Sequence, residues 1–302
     1  MAVRPDSAAP IGVVGVGNMG LAMAQRLLDR GHRVVAHDIS PEAEARVRAA
    51  GAMVASDCAA LARQCALLIV AVVDAPQNEA VLFGERGAHE GVHDASTVML
   101  CSTIGPRDAE SLAARLGKLN VACIDAPMSG GPARARDGTM SLMVACPDAT
   151  FRPHEPVLRA LSSRLVRLGE RIGDGARTKL VNNLLAAVNL AAAAEALAIA
   201  ERLGLDARRT LQVLEQSSAQ SWIASDRLPR ALNGDYTPRA HTSLLAKDTT
   251  LAMAMAADAG LQPLLGATAQ QLFARACAQG LASLDDASLL TLMRREFAPD
   301  RA

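Results

Sequence analysis

Between residues 10 and 169 the chain alternates short, β-branched apolar runs with stretches of helical period. The apolar runs fall at 13–15, 34–36, 67–73, 98–102, 121–124, 141–145 and 165–168. Such alternation predicts a parallel sheet covered by helices on both faces. From Gly175 onward the strand pattern stops, and 178–203, 207–216, 244–259, 264–278 and 287–297 read as helices. The predicted organisation is an α/β domain over residues 1–173 and an all-helical domain over 174–302. The boundary is expected near Gly173-Asp174-Gly175, with one long interdomain helix joining the two. A junction of this kind is expected to leave a ligand cleft.

The first strand runs into a glycine fingerprint, Gly15-Val16-Gly17-Asn18-Met19-Gly20, followed by a helical run, a second strand and Asp38. Strand, turn, helix, strand and acid in this order are the dinucleotide-binding form of a Rossmann domain, a doubly wound and mainly parallel sheet. Gly15 makes the tight turn, Gly17 lets a pyrophosphate approach the backbone, and Gly20 lets helix and strand pack closely. The first N–H groups of the helix then face the phosphates. Asp38 either accepts hydrogen bonds from the adenosine ribose and repels a 2′-phosphate, which selects NAD over NADP, or caps the helix starting near Ser40-Pro41.

The 302 residues balance 31 basic against 31 acidic side chains, and only 2% are aromatic. Neither a basic surplus nor a stacking platform points to nucleic acid. Lysine is nearly absent: Lys118, Lys179 and Lys247 are the only three, so 31 − 3 = 28 basic residues are arginine. Lysine, unlike arginine, can be desolvated until it exchanges protons near neutrality. Lys179 opens the long helix with Asn183 four residues on, so the two share a face and can hold one small ligand. Lys179 is either a base for a substrate hydroxyl or an ordinary surface lysine. Lys247 beside Asp248 reads as a solvated pair, and Lys118 as exposed.

Cys58, Cys65, Cys101, Cys123, Cys146 and Cys277 show no CxxC pair and read as small buried hydrophobes in a reducing cytoplasm. Met1 to Pro10 is polar, without the apolar core of a secretory signal. The apolar stretch 184–200, interrupted by Asn189 and Glu195, reads as a buried helix, too short and too weakly hydrophobic for a membrane span. His89-Glu90-Gly91-Val92-His93 spells the zinc-protease pattern HExxH, but Gly84, Gly87 and Gly91 break the helix that pattern needs, so no metal is expected.

Five ordered blocks resemble the β-hydroxyacid dehydrogenases, the group of 3-hydroxyisobutyrate dehydrogenase, tartronate semialdehyde reductase and shorter relatives of 6-phosphogluconate dehydrogenase. The blocks are Gly15 to Gly20 with Met23-Ala24; Ser102-Thr103-Ile104; Asp125-Ala126-Pro127-Met128-Ser129-Gly130-Gly131 with Asp137-Gly138-Thr139; Lys179 with Asn182-Asn183; and Lys247-Asp248. The resemblance implies a substrate carboxylate on Ser129, Gly130 and Gly131, a catalytic Lys179, a substrate-orienting Asn183, and Lys247 near nicotinamide and substrate. It further implies that Val72, Val73, Pro76 and Thr103 line the cofactor. Where many members carry glycine, this chain has Arg134, which either reaches a polar or acidic group of the substrate or lies in solvent. Ser221-Trp222, Arg227, Pro229 and 234–238 look most like L-threonate and related acid-sugar dehydrogenases, and Trp222 either walls the substrate pocket or fills core.

The expected function is NAD-dependent oxidation of a small carboxylate-bearing hydroxy acid, in a cytoplasmic homodimer or homotetramer without membrane or nucleic-acid partners. The alternatives are an NADPH-dependent reductase of glyoxylate or a semialdehyde and, from another class, a non-catalytic dinucleotide-binding structural protein.

Overall fold

The computed structural model describes residues 9–298. The N-terminal stretch read for a targeting signal therefore lies, up to residue 8, outside the described residues. Contacts divide the chain into two compact units, one ending at Lys179 and the other beginning at Leu180. The division falls inside the helix Asp174–Arg202.

The first unit holds β1 (Ile11–Val14), β2 (Val34–His37), β3 (Met53–Val54), β4 (Leu67–Val70), β5 (Thr97–Leu100), β6 (Ala122–Asp125), β7 (Met128–Ser129), β8 (Ser141–Ala145) and β9 (Arg164–Gly169). They form one sheet in the order β3-β2-β1-β4-β5-β6-β8-β7, with β9 paired to β8. The first six strands are parallel, in the doubly wound order of a dinucleotide-binding sheet. β8 instead runs antiparallel to β6 and β7. The connection from β7 to β8 holds only the two-turn helix Gly131–Asp137, too short to carry the chain back along the sheet for a parallel return.

Successive strand residues feed opposite cores. Val13, Leu67, Ile69 and Met99 pack on one face with Met23 and Leu27 of the helix Asn18–Asp29 and with Leu158 of the helix Asp148–Leu161. Val14, Leu68, Val70, Val98 and Leu100 pack on the other with Leu61, Leu82 and Leu112. Runs apolar at every position are what a sheet covered on both faces requires, and each large side chain so buried contributes about 1.5–3 kcal/mol.

The second unit is helical: the remainder of Asp174–Arg202, then Ala207–Glu215, Trp222–Leu232, Thr242–Asp258, Leu264–Ala276 and Leu289–Glu296. Leu190, Leu197, Leu228, Phe273, Leu290 and Leu292 form its core. The long helix corrects one expectation. At 29 residues, with an 18-residue window of mean hydropathy 1.6, it is long and apolar enough to cross a membrane by length and composition, and 39% of that window is buried. It carries core side chains on one face and leaves Val181, Leu185 and Ile199 exposed on another.

Candidate active site

The fingerprint helix begins at Asn18, so the first-turn N–H groups belong to Asn18, Met19 and Gly20. A Cβ on Gly20 would strike the Gly15 carbonyl oxygen, whereas a Cβ on Gly17 would meet nothing within 4 Å. Gly17 is exposed, and the space over it is open to a phosphate. The turn at Gly15 lies against the loop after β4, because a Cβ there would fall 2.8 Å from Val72. Val72 is half-buried, Val73 and Pro76 are exposed, and Thr103 is half-buried just past β5. The C-terminal ends of β1, β4 and β5 are hydrogen-bonded neighbours, so these loops share one edge of the sheet, the edge at which such sheets bind nucleotides. The residues present fit a dinucleotide.

Asp38 directly follows β2 and turns back to the fingerprint. Its Oδ2 accepts from the Val16 N–H at 2.7 Å and its Oδ1 from the Ser40 N–H at 2.9 Å. The helix Pro41–Ala49 is capped by Ser40, whose hydroxyl accepts from the Ala43 N–H, so Asp38 is not that cap. Each carboxylate oxygen keeps a further lone pair for a ribose hydroxyl. Beside it, His37 pairs with Glu44 at 3.1 Å.

Ser129 ends β7 opposite Ser141 of β8, and the chain then turns through Gly130 and Gly131 with φ of 129° and 75°. Two consecutive positive φ values suit glycine alone, and they expose the backbone beside a half-buried serine. The helix Gly131–Asp137 that follows packs along the fingerprint helix, and Asn18, Gln25, Pro132, Ala133 and Arg136 line a shallow groove of about 340 Å³ between them. The Gly130–Gly131 turn and the glycine fingerprint thus lead into neighbouring helices. Arg134 is half-buried, and its stem folds over Gly130, where a Cβ would come 2.9 Å from its Cδ.

Lys179 is 8% exposed, as is Asn183 one turn further along the same helix, so the surface-lysine alternative is excluded. In the second unit, the Asn183 Nδ2 donates to Asp248 Oδ2 at 2.6 Å, and Asp248 Oδ1 pairs with Lys247 Nζ at 2.8 Å. The expected solvated Lys247–Asp248 pair is therefore corrected: Asp248 is 5% exposed and Lys247 half-buried, because the carboxylate is drawn inward to hold the amide. Asn182 is exposed and donates to Asn183 Oδ1 at 3.0 Å. Trp222 is 45% exposed, which excludes a core role, and Arg227 lies 6.0 Å over its ring. Arg227 also pairs with buried Asp286, whose carboxyl is raised to about 6 by burial, against the lowering effect of the arginine.

Two groups lay outside the sequence reading. Asp125 was part of a motif but had no role, yet its buried carboxylate receives backbone N–H groups at the start of the Lys179 helix. Asp248 is the other, a buried carboxylate that accepts from the Asn183 amide. Elsewhere, His89 and Glu90 sit in a three-residue 3-10 turn that ends before His93, so HExxH does not form one helix. Five cysteines are buried and Cys277 is half-buried, and burial raises the thiols of Cys58 and Cys65 to about 11 and about 12.

A family described as the NAD binding domain of 6-phosphogluconate dehydrogenase matches residues 10–169. A second, described as the NAD-binding of NADP-dependent 3-hydroxyisobutyrate dehydrogenase, matches residues 173–293. The L-threonate dehydrogenase of Cupriavidus necator is 37% identical over 292 residues, covering 97% of this chain and 98% of its own. The chain belongs to the β-hydroxyacid dehydrogenase family. Among other members, the mitochondrial 3-hydroxyisobutyrate dehydrogenase of Mus musculus is 30% identical over 297 residues, covering 96% of this chain and 88% of that one. The crystal structure of a 3-hydroxyisobutyrate dehydrogenase from Salmonella typhimurium superposes with a TM-score of 0.88 at 34% identity, covering 94% of this chain and 99% of that one. This β-hydroxyacid dehydrogenase is accordingly an oxidoreductase acting on hydroxy acids, with a nucleotide-binding site in its first unit.

Proposed function

We propose that this enzyme oxidises a small hydroxy acid, threonate-, 3-hydroxyisobutyrate- or glycerate-like, with NAD, and that Lys179 is its general acid/base. One observation carries the reading: a lysine withdrawn from solvent stands one helical turn from an asparagine whose amide is held by a buried carboxylate. Removing a hydride from a carbinol carbon requires that the hydroxyl proton leave, and an unprotonated Lys179 Nζ accepts it; in the reverse direction the ammonium returns it. Ser129 and the backbone at Gly130 and Gly131 hold the substrate carboxylate, and Asn183 orients the substrate. Lys247 stands near nicotinamide and substrate, while Trp222 and Arg134 shape what is accepted beyond the reacting carbon. The dinucleotide supplies the hydride acceptor, held by Gly15, Gly17, Asn18, Met19, Gly20 and Asp38, with Val72, Val73, Pro76 and Thr103 along its length.

The preference for NAD is supported by Asp38, a carboxylate fixed at the fingerprint turn where a 2′-phosphate would bring a second negative charge. The rival reading, an NADPH-dependent reductase of glyoxylate or a semialdehyde, is favoured by the NADP-dependent description of the family matching residues 173–293. Initial rates for C3 and C4 hydroxy acids, each with NAD and with NADP, decide between them. Turnover of threonate, erythronate, glycerate or 3-hydroxyisobutyrate with NAD supports the proposal, and a clear NADP preference overturns its cofactor assignment.

We further propose a cytoplasmic homodimer or homotetramer. Its six free thiols suit a reducing compartment, and the exposed Val181, Leu185 and Ile199 of the long helix, with Leu264 and Leu265, offer an apolar surface for a second copy.

A further inference from the structure

Asp125 ends β6 and is 2% exposed. Its Oδ2 accepts from the Gly173 N–H at 2.8 Å and from the Ala176 N–H at 3.1 Å. These donors lie at the start of the helix Asp174–Arg202, where an α-helix has no partners of its own to offer them. The negative group also lies at the positive end of a 29-residue helix. The seating is close, because a Cβ on Gly175 would come within 2.7 Å of the carboxylate. Burial nonetheless pushes the Asp125 carboxyl up to about 6, so its ionised form costs stability at neutral pH. A neutral cap would satisfy the helix without that cost.

The contact joins the two segments to which the proposed chemistry assigns work. Upstream, Asp125 is four residues from Ser129 and begins the stretch Asp125-Ala126-Pro127-Met128-Ser129-Gly130-Gly131. Downstream, Lys179 follows Ala176 by three residues, about 4.5 Å along the same helix. The first turn of the helix cannot move against the strand end without breaking bonds to Asp125. A backbone displacement there would carry the Lys179 ammonium with it.

We infer that Asp125 is a positioning residue for Lys179, clamping the first turn of its helix to the strand that leads into the Ser129–Gly131 turn. The inference rests on the proposed acid/base role of Lys179. Gly175 is the second part of the clamp, since only a residue without a side chain lets the carboxylate reach the helix backbone.

The test compares kcat, the substrate KM and the dinucleotide Kd for the full-length Asp125→Ala, Asp125→Asn and Gly175→Ala variants, with Lys179→Ala as reference. Misplacing a catalytic group by about 1 Å costs on the order of 10²-fold in rate. Asp125→Ala is expected to lose kcat on that order with the dinucleotide Kd within about twofold of the parent. Asp125→Asn, which keeps an acceptor oxygen, is expected to recover most of the loss. Gly175→Ala is expected to lower kcat in the parent and to have no further effect in the Asp125→Ala background, where the clashing group is gone. If Asp125→Ala does not fold, Asp125→Asn and Gly175→Ala decide, and parental kcat in folded Gly175→Ala overturns the inference. Parental kcat in folded Asp125→Ala overturns it as well, as does an equal loss of kcat and dinucleotide affinity, the mark of a merely structural residue. A fully active Lys179→Ala would instead remove the reading on which the inference stands, so the two failures are distinguishable.

Discussion

Gly17 and Gly20 lie three residues apart in the fingerprint and are glycines for different reasons. A methyl on Gly20 would collide with backbone, which cannot rotate away, so Gly20→Ala should destabilise the fold by about 3 kcal/mol. A methyl on Gly17 meets nothing in the protein, so Gly17→Ala should fold with a Tm within a few degrees of the parent but bind NAD about tenfold or more weakly. Thermal melts with a Kd titration separate the two, and equal effects on both quantities would contradict the assignment of Gly17 to the phosphate. Asp38 is read the same way. Asp38→Asn should shift the ratio of kcat/KM for NAD over NADP toward NADP by about 10- to 100-fold, the worth of a charge-assisted hydrogen bond; an unchanged ratio would mean that the carboxylate serves only the Val16 and Ser40 backbone. These residues were legible in the sequence because their spacing is local. Asp125 and Asp248 were not, because their partners stand 48 to 65 positions away and nothing in the linear pattern announces a buried carboxylate.

The long helix carries the proposed acid/base, and two carboxylates touch it at Gly173–Ala176 and at Asn183. Asp248→Ala should release the Asn183 amide and remove the Lys247–Asp248 ion pair, raising the substrate KM about tenfold while the dinucleotide Kd stays near the parental value. A parental KM would show that Asn183 is oriented without it. Asp125 gives a pH signature. Its folded carboxyl titrates at about 6, above the ordinary 3.8, so between those values the folded state holds a proton that the unfolded state has lost. Stability from this group is therefore fully present below about pH 4 and lost as pH rises through about 6. Asp174, Cys101, Cys123 and Cys146 are the titratable groups that couple to it. The Tm difference, Asp125→Asn minus parent, should grow from pH 4 to pH 7, and a flat difference would contradict a raised folded pKa. Most elements could be read from the chain because they are long or apolar on every position. β3 and β7 could not, being two-residue strands fixed by their neighbours. The helix Trp222–Leu232 was hidden by Pro229, which reads as a breaker although its missing N–H removes only one bond from a helix capped at Ser221.

At the scale of the whole molecule, the change from β-rich to helical composition was visible in the sequence, and so was the doubly wound sheet. The antiparallel turn of β8 was not, since strand direction depends on how far a connection can travel rather than on the strand's own residues. The apolar face Val181, Leu185 and Ile199 predicts association between copies. Leu185→Asp should shift the molar mass measured by light scattering toward that of a 31.5 kDa protomer, and a parent already of that mass would contradict the proposed oligomer. The enzymatic proposal stands on one side chain. Steady-state turnover of the best hydroxy acid by Lys179→Ala, with NAD binding checked on the same sample, tests it most directly: the expected result is unchanged NAD affinity with kcat lowered by about 10²- to 10⁴-fold. Parental turnover in that variant would contradict the account.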